Sequence, residues 1–318
     1  WHLDLPNSTY LYVMVAGPYE VIQDYHGDIP MSYWVYPKDK KHADRSFHRT
    51  PEIMRFFEKE YGVAFPWPKM DQITIPGIGG GAESTTATIL GEKTIHDAKA
   101  EKDFPSHWLV AHEAAHQWWG DYVTMGNWHH AWINESFATY GEYLYSTFQY
   151  GEVEGKINLW KKKQSYLNEY RNKYSRPMVH PYWEYPNQNF DSHIYPRGAA
   201  VLHMLRQIVG DDTFKEFQEE FLNKFAFGNP TTEDLINVFN EVAEKDYTWF
   251  FKQWVLSAGH PQLDINTSWK KGELTVAINQ TQIGRKTPTK YYLPTKIALY
   301  YKNEVVEKEL IIDRKRSI

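Results

Sequence analysis

No cysteine occurs anywhere in the 318 residues. Disulfides and thiolate metal sites are excluded, so any zinc must take nitrogen and oxygen ligands. The same absence leaves the compartment open. Positive charge is not in excess. Thirty-five Lys and Arg face 40 Asp and Glu, a formal net charge of −5, which gives no basic footprint for nucleic acid. No apolar run approaches the roughly 20 residues needed to span a bilayer. The chain begins at Trp1 rather than Met, and no basic-then-apolar leader is visible. It reads as a mature or excised piece of a longer protein, and periplasmic, secreted and cytoplasmic settings all fit. No internal repeat or low-complexity tract appears.

Aromatic residues are plentiful, at 16% with 13 Trp and 23 Tyr, and the hydrophobic share of 42% supports a sizeable core. The length suits about two domains.

One stretch organises the rest. Val110 to Gly120 contains His112-Glu113-Ala114-Ala115-His116, the pattern H-E-x-x-H. Residues four apart share a helical face, so the two imidazoles can meet at one point. That is a half-site for Zn2+. Glu113 lies about 100° round the helix, off the ligand line but within reach of a metal-held water. A third ligand is needed, with a fourth position open for catalysis. Glu135 lies near the start of a second helical pattern that Trp132, Phe137, Tyr140 and Leu144 can pack. If the two helices run antiparallel, Glu135 faces the histidines. Glu142, two turns further on, can accept from a ligand histidine or be an ordinary helix glutamate. His129 and His130 are adjacent and diverge, which fits a loop; His107 fits a helix surface.

The flanks divide by composition. Residues 1–37 read as strands: Tyr10–Ala16, Tyr19–Tyr25 and Met31–Tyr36. Pro37–Lys41 reads as a solvated linker. Thr50, Pro51 and Gly62 bracket a helix striped by Ile53, Phe56, Phe57 and Tyr61. Asp71–Ile75 reads as a strand before the glycine run Gly77–Gly81, where backbone can approach a ligand closely. Helical patterns fill most of 152–257, one of them opening at Tyr195. After His260-Pro261 the pattern alternates, with hairpin signals at Lys270–Gly272 and Lys302-Asn303.

Four motifs stand in order. Phe65–Asp71 resembles P-Y-P-K-x-D, and Gly80-Gly81-Ala82-Glu83-Ser84 resembles G-A-M-E-N. His112–His116 is followed, eighteen residues later, by Glu135 in a W-I-N-E-x-F-A setting. Tyr195-Pro196-Arg197-Gly198-Ala199 resembles Y-x-K-G-A. Together they resemble the zinc aminopeptidases of the aminopeptidase N family, a branch of the gluzincins.

The resemblance implies an α+β fold: a thermolysin-like, mostly helical catalytic domain with a small sheet, followed by a small β-sandwich module. It implies the last strands of an N-terminal β domain over 1–37, a zinc peptidase domain over 38–260 and the sandwich over 261–318. It implies one Zn2+ per chain on His112, His116 and Glu135, with Glu113 as general base and Tyr195 on the oxyanion. Glu83 would hold the substrate α-amine, beside the backbone of Gly80, Gly81 and Ala82. The partners implied are peptides with a free N-terminus and the domains of a longer parent chain. Ala82 and Ser84 replace the family's Met and Asn; that Met normally cushions the first substrate side chain. A thermolysin-like endopeptidase, an epoxide-hydrolase relative and a silent zinc-binding relative are the alternatives.

Overall fold

The computed structural model describes residues 2–301 and 304–317. The expected strand over Tyr10–Ala16 is not formed. A 3-10 turn over Thr9–Leu11 is followed by irregular chain outside any sheet. The run has strand-like residues but no ladder partner, and Tyr10 is turned toward other side chains. The next two strands do form. β1 (Glu20–His26) and β2 (Ile29–Val35) make an antiparallel hairpin about Gly27, at φ +58°.

The chain then turns helical at α1 (Lys40–Phe47), sooner than the expected linker allowed, and continues into α2 (Thr50–Tyr61). Gly62 ends α2 in the left-handed conformation at φ 69°. Thr50 does not cap; its hydroxyl donates to Gln72 Oε1 at 2.7 Å. Ile53, Phe57 and Tyr61 are buried as their spacing requires.

β3 (Met70–Ile75), β4 (Gly81–Ala82) and β5 (Ala87–Gly91) complete a five-stranded sheet of order β1-β2-β3-β5-β4. β3 runs parallel to both neighbours, and all but its last residue are buried, as befits a strand covered on both faces. The hairpin before residue 37 thus shares a sheet with β3–β5. The division expected at residue 37 crosses that sheet. β4 is one of the two edge strands and pairs antiparallel with β5, Gly81 opposite Leu90 and Ala82 opposite Ile89.

After the short α3 (Ala100–Asp103) come the two central helices, α4 (His107–His116) and α5 (Trp132–Tyr150). Both are buried nearly all round, so they form the middle of the helical part rather than its surface. Trp119, just past α4, stacks on Phe137 of α5 with ring centres 3.7 Å apart. Trp118 donates its indole N–H to the Val63 carbonyl. His107, expected at a surface, is buried beside Tyr145 and Tyr150, and burial lowers its pKa to about 4.

α6 (Glu152–Asn172), α7 (Pro196–Val209), α8 (Asp211–Lys224), α9 (Thr232–Val242) and α10 (Thr248–Trp254) follow. α9 starts with a capping box between Thr231 and Asp234. The C-terminal strands form two sheets. β6 (Leu263–Lys270) and β7 (Glu273–Gln280) pair across Lys271-Gly272, both at positive φ. β8 (Leu293–Tyr301) pairs with β9 (Glu304–Ile312), and β10 (Arg316–Ser317) adds to β7. The turn expected at Lys302-Asn303 lies outside the described residues. Among the described residues no helix is long and apolar enough to cross a membrane.

Candidate active site

α4 and α5 bring the spaced residues together. His112 Nε2 and His116 Nε2 lie 3.1 Å apart. Glu135 Oε2, from α5, lies 3.2 Å from His116 Nε2 and 3.5 Å from His112 Nε2. All three residues are buried.

What lies behind each imidazole decides which nitrogen faces inward. His112 Nδ1 is 2.8 Å from Glu142 Oε1, and His116 Nδ1 is 2.8 Å from the Trp119 carbonyl. A carbonyl can only accept. Glu142 is held ionised: burial opposes its charge, but Lys162, at 2.6 Å, and His112 bring its carboxyl down to about 2. Both Nδ1 atoms therefore donate, which leaves both Nε2 atoms with lone pairs directed at one point. Glu135 Oε2 points to the same place and has no hydrogen-bond partner among the described residues. Such a donor set fits a metal cation. Proton affinities carry the same preference for positive charge. Burial disfavours a charged His112, yet Glu135 and Glu142 push it up to about 9. Glu135 and Glu83 hold His116 well above its usual value against burial. Glu135 itself stays at about 2, burial being outweighed by the two imidazoles.

Glu113 stands outside the His112–His116–Glu135 trio. Burial pushes its carboxyl up to about 7 against the pull of His112 and His116. A carboxyl near neutral can both take and return a proton. The edge strand lies against it. A Cβ at Gly81 would collide with Glu113 Oε1 and stand 2.8 Å from the Ile89 carbonyl oxygen. Glycine here lets strand and carboxylate share one space. Gly80, at φ +82°, makes the turn into β4, and its carbonyl accepts from Gly91 at 2.9 Å.

Glu83 follows that strand. One oxygen of Glu83, one of Glu113 and a His116 nitrogen lie within 4.8 Å of one another. The segment is fixed by Gln117, the residue after His116 and fully buried. Gln117 Nε2 donates to the Glu83 carbonyl at 2.9 Å, and its Oε1 accepts from Thr86 N–H at 3.1 Å. Nε2 also donates to Asp121 Oδ2 at 2.8 Å. Thr86 is held at φ 63°, an uncommon conformation for a β-branched residue.

Tyr195 stands at the N-terminal end of α7, its ring 6.0 Å from that of His112 and inclined by 24°. Burial and the Glu135 carboxylate push its phenol well above the usual range. The residues after it fix α7 in place. A Cβ at Gly198 would collide with Ser136 Oγ, which donates to the Ile194 carbonyl at 2.7 Å. Arg197 is buried and donates to the carbonyls of Arg176, Trp254 and Ser257.

The structure thus gathers His112, Glu113, His116, Glu135, Glu83, Gly81 and Tyr195 in one place. Sequence reasoning missed Gln117. The signal for Gln117 was its position directly after the second histidine on a helix with no solvent face. His129 and His130 take no part. His129 packs on Trp183 and His130 lies 2.9 Å from the Thr232 hydroxyl. Another acidic group, Glu169, Asp191 and His193, has its charges spent. Asp191 pairs with Arg176 at 2.7 Å, while Glu169 accepts from Ser192 N–H and pairs with Lys173.

The Peptidase family M1 domain matches residues 45–254. The chain is 28% identical over 328 residues to "Aminopeptidase 2, mitochondrial" of Saccharomyces cerevisiae, covering 98% of this chain and 34% of that one. It is 31% identical over 294 residues to "Aminopeptidase M1-A" of Oryza sativa subsp. japonica, covering 86% of this chain and 32% of that one. Its fold overlays the crystal structure of Legionella pneumophila aminopeptidase A in complex with aspartic acid with a TM-score of 0.83 at 19% identity. That overlay takes in 99% of this chain and 37% of that one. The chain therefore spans 34% or less of the length of these two curated relatives. The family match runs from α1 to the end of α10 and contains Glu83, the His112–Glu135 cluster and Tyr195: the chain belongs to peptidase family M1.

Proposed function

We propose that this chain is the catalytic part of a zinc aminopeptidase, one that removes the first residue from peptides with a free α-amine. His112, His116 and Glu135 would hold one Zn2+ per chain. The bound metal supplies a water of pKa about 7 and polarises the scissile carbonyl. Glu113 takes the proton of the attacking water and returns it to the leaving nitrogen. Tyr195 keeps its proton and donates a hydrogen bond to the carbonyl oxygen as negative charge grows there. The backbone of Gly80, Gly81 and Ala82 adds the extended substrate to the sheet edge. Glu83 accepts from the substrate ammonium. The chemistry falls within 38–260, with 261–318 as a flanking β module.

One observation carries the choice of an exopeptidase. Glu83, Glu113 and His116 present their polar atoms within 4.8 Å of one another. The α-nitrogen and carbonyl carbon of one residue are about 2.5 Å apart. An ammonium held by Glu83 would bring the first carbonyl beside Glu113 and the histidines, which supports the exopeptidase reading.

Two variants test the metal and the base separately. His116→Ala should lose zinc on dialysis, because three ligands become two. Glu113→Gln should keep zinc and lose roughly 10^2–10^4 in turnover of an amino-acid anilide. Stoichiometric zinc in the first variant, or near-normal turnover in the second, would overturn the respective role.

A further inference from the structure

Tyr10 belongs to the segment before β1 that forms no sheet, and its ring packs edge-on against Trp128 at 5.1 Å. Its hydroxyl donates to Glu83 Oε1 at 3.2 Å and accepts from Asn134 Nδ2 at 3.0 Å. Asn134 Oδ1 accepts from the Met125 N–H at 3.1 Å. That bond settles which way the amide faces, because an oxygen turned to Met125 leaves the NH2 for Tyr10. Asn134 immediately precedes Glu135 on α5. A directed chain of hydrogen bonds thus runs from Met125 through Asn134 and Tyr10 to the Glu83 carboxylate. Its fixed end sits beside a member of the His112–His116–Glu135 cluster.

We propose that Tyr10 is a positioning residue for amine recognition: it ties one oxygen of Glu83 and so turns the other toward the substrate's ammonium. The proposal rests on the reading of Glu83 as amine anchor. A glutamate has three side-chain torsions, and an untethered carboxylate must be ordered when substrate binds. The tether makes that ordering a property of the protein before substrate arrives.

Tyr10→Phe keeps the ring and its contact with Trp128 and removes only the hydroxyl. In the full chain it should raise KM for a free-amine anilide about tenfold, the scale of one hydrogen bond to a charged group. kcat, zinc content and Tm should change little, since Tyr10 touches no reacting atom. In a Glu83→Gln background the same substitution should add nothing. A purely structural role would instead lower Tm and kcat together. An unchanged KM in Tyr10→Phe, with KM raised by Glu83→Gln, would overturn the role of Tyr10 and leave the amine anchor standing. If Glu83→Gln itself leaves KM for free-amine substrates unchanged, the anchor reading fails and the proposal with it. A full additional loss in the double variant would also overturn it, by showing that Tyr10 acts elsewhere.

Discussion

The Glu113 carboxylate occupies a space left open because residue 81 has no side chain. A methyl group there collides with the Glu113 carboxylate and crowds the Ile89 carbonyl. Glu113 is not among the three residues that converge on the cation position, so Gly81→Ala should leave zinc content intact and displace the base. A misplacement of about 1 Å can cost on the order of 10^2 in rate. Turnover measured beside metal content checks this, and normal kcat would show that Glu113 tolerates the shift. On the proposed oxyanion role of Tyr195, Tyr195→Phe should lower kcat by roughly 10^2–10^3 with KM little changed. An effect confined to KM would make Tyr195 a ground-state contact only. At this scale the sequence was most legible where chemistry repeats at helical spacing. His112, Glu113 and His116 are read from one turn of helix. Tyr10 was not legible, because its partners Glu83 and Asn134 lie 73 and 124 residues away.

Elements meet here through small residues and buried polar ties. Gly198 lets α7 approach α5 until a Cβ would strike Ser136 Oγ and stand 3.1 Å from Ser136 Cα. Ser136 cannot simply swing aside without giving up its bond to the Ile194 carbonyl. Gly198→Ala should cost about 1–3 kcal/mol, as overpacking in a tight contact does, and should carry Tyr195 away from His112. Urea unfolding alongside kcat reads both effects; a variant with wild-type stability and kcat would mean that the two helices separate freely. Periodicity revealed most of these elements. α2, α5 and α7 bury the apolar stripes their sequences show. It failed at Tyr10–Ala16, where aromatic and β-branched residues look like a strand but no neighbouring strand offers a ladder. A strand is a property of two segments, and single-segment reading cannot supply the second. The same limit hid Gln117, whose ties to Glu83 and Thr86 join a helix to the end of a sheet edge.

In the whole molecule the site lies where the sheet edge β4 meets α4, α5 and the start of α7. The N-terminal segment closes it through Tyr10. In the proposed reaction the sheet edge pairs with the extended peptide. The buried helix pair supplies the cation position. Gln117 and Tyr10 fix the distance between that position and Glu83. We propose that this spacing makes the site a ruler one residue long. The direct measurement is mass spectrometry of the products from two peptides of identical sequence, one free and one N-acetylated, incubated with the full-length zinc-loaded protein. The expected result is stepwise loss of single residues from the free peptide and no cleavage of the acetylated one. Internal cleavage of the acetylated peptide at a rate like that of the free one would contradict it, and would make this an endopeptidase for which Glu83 anchors no amine.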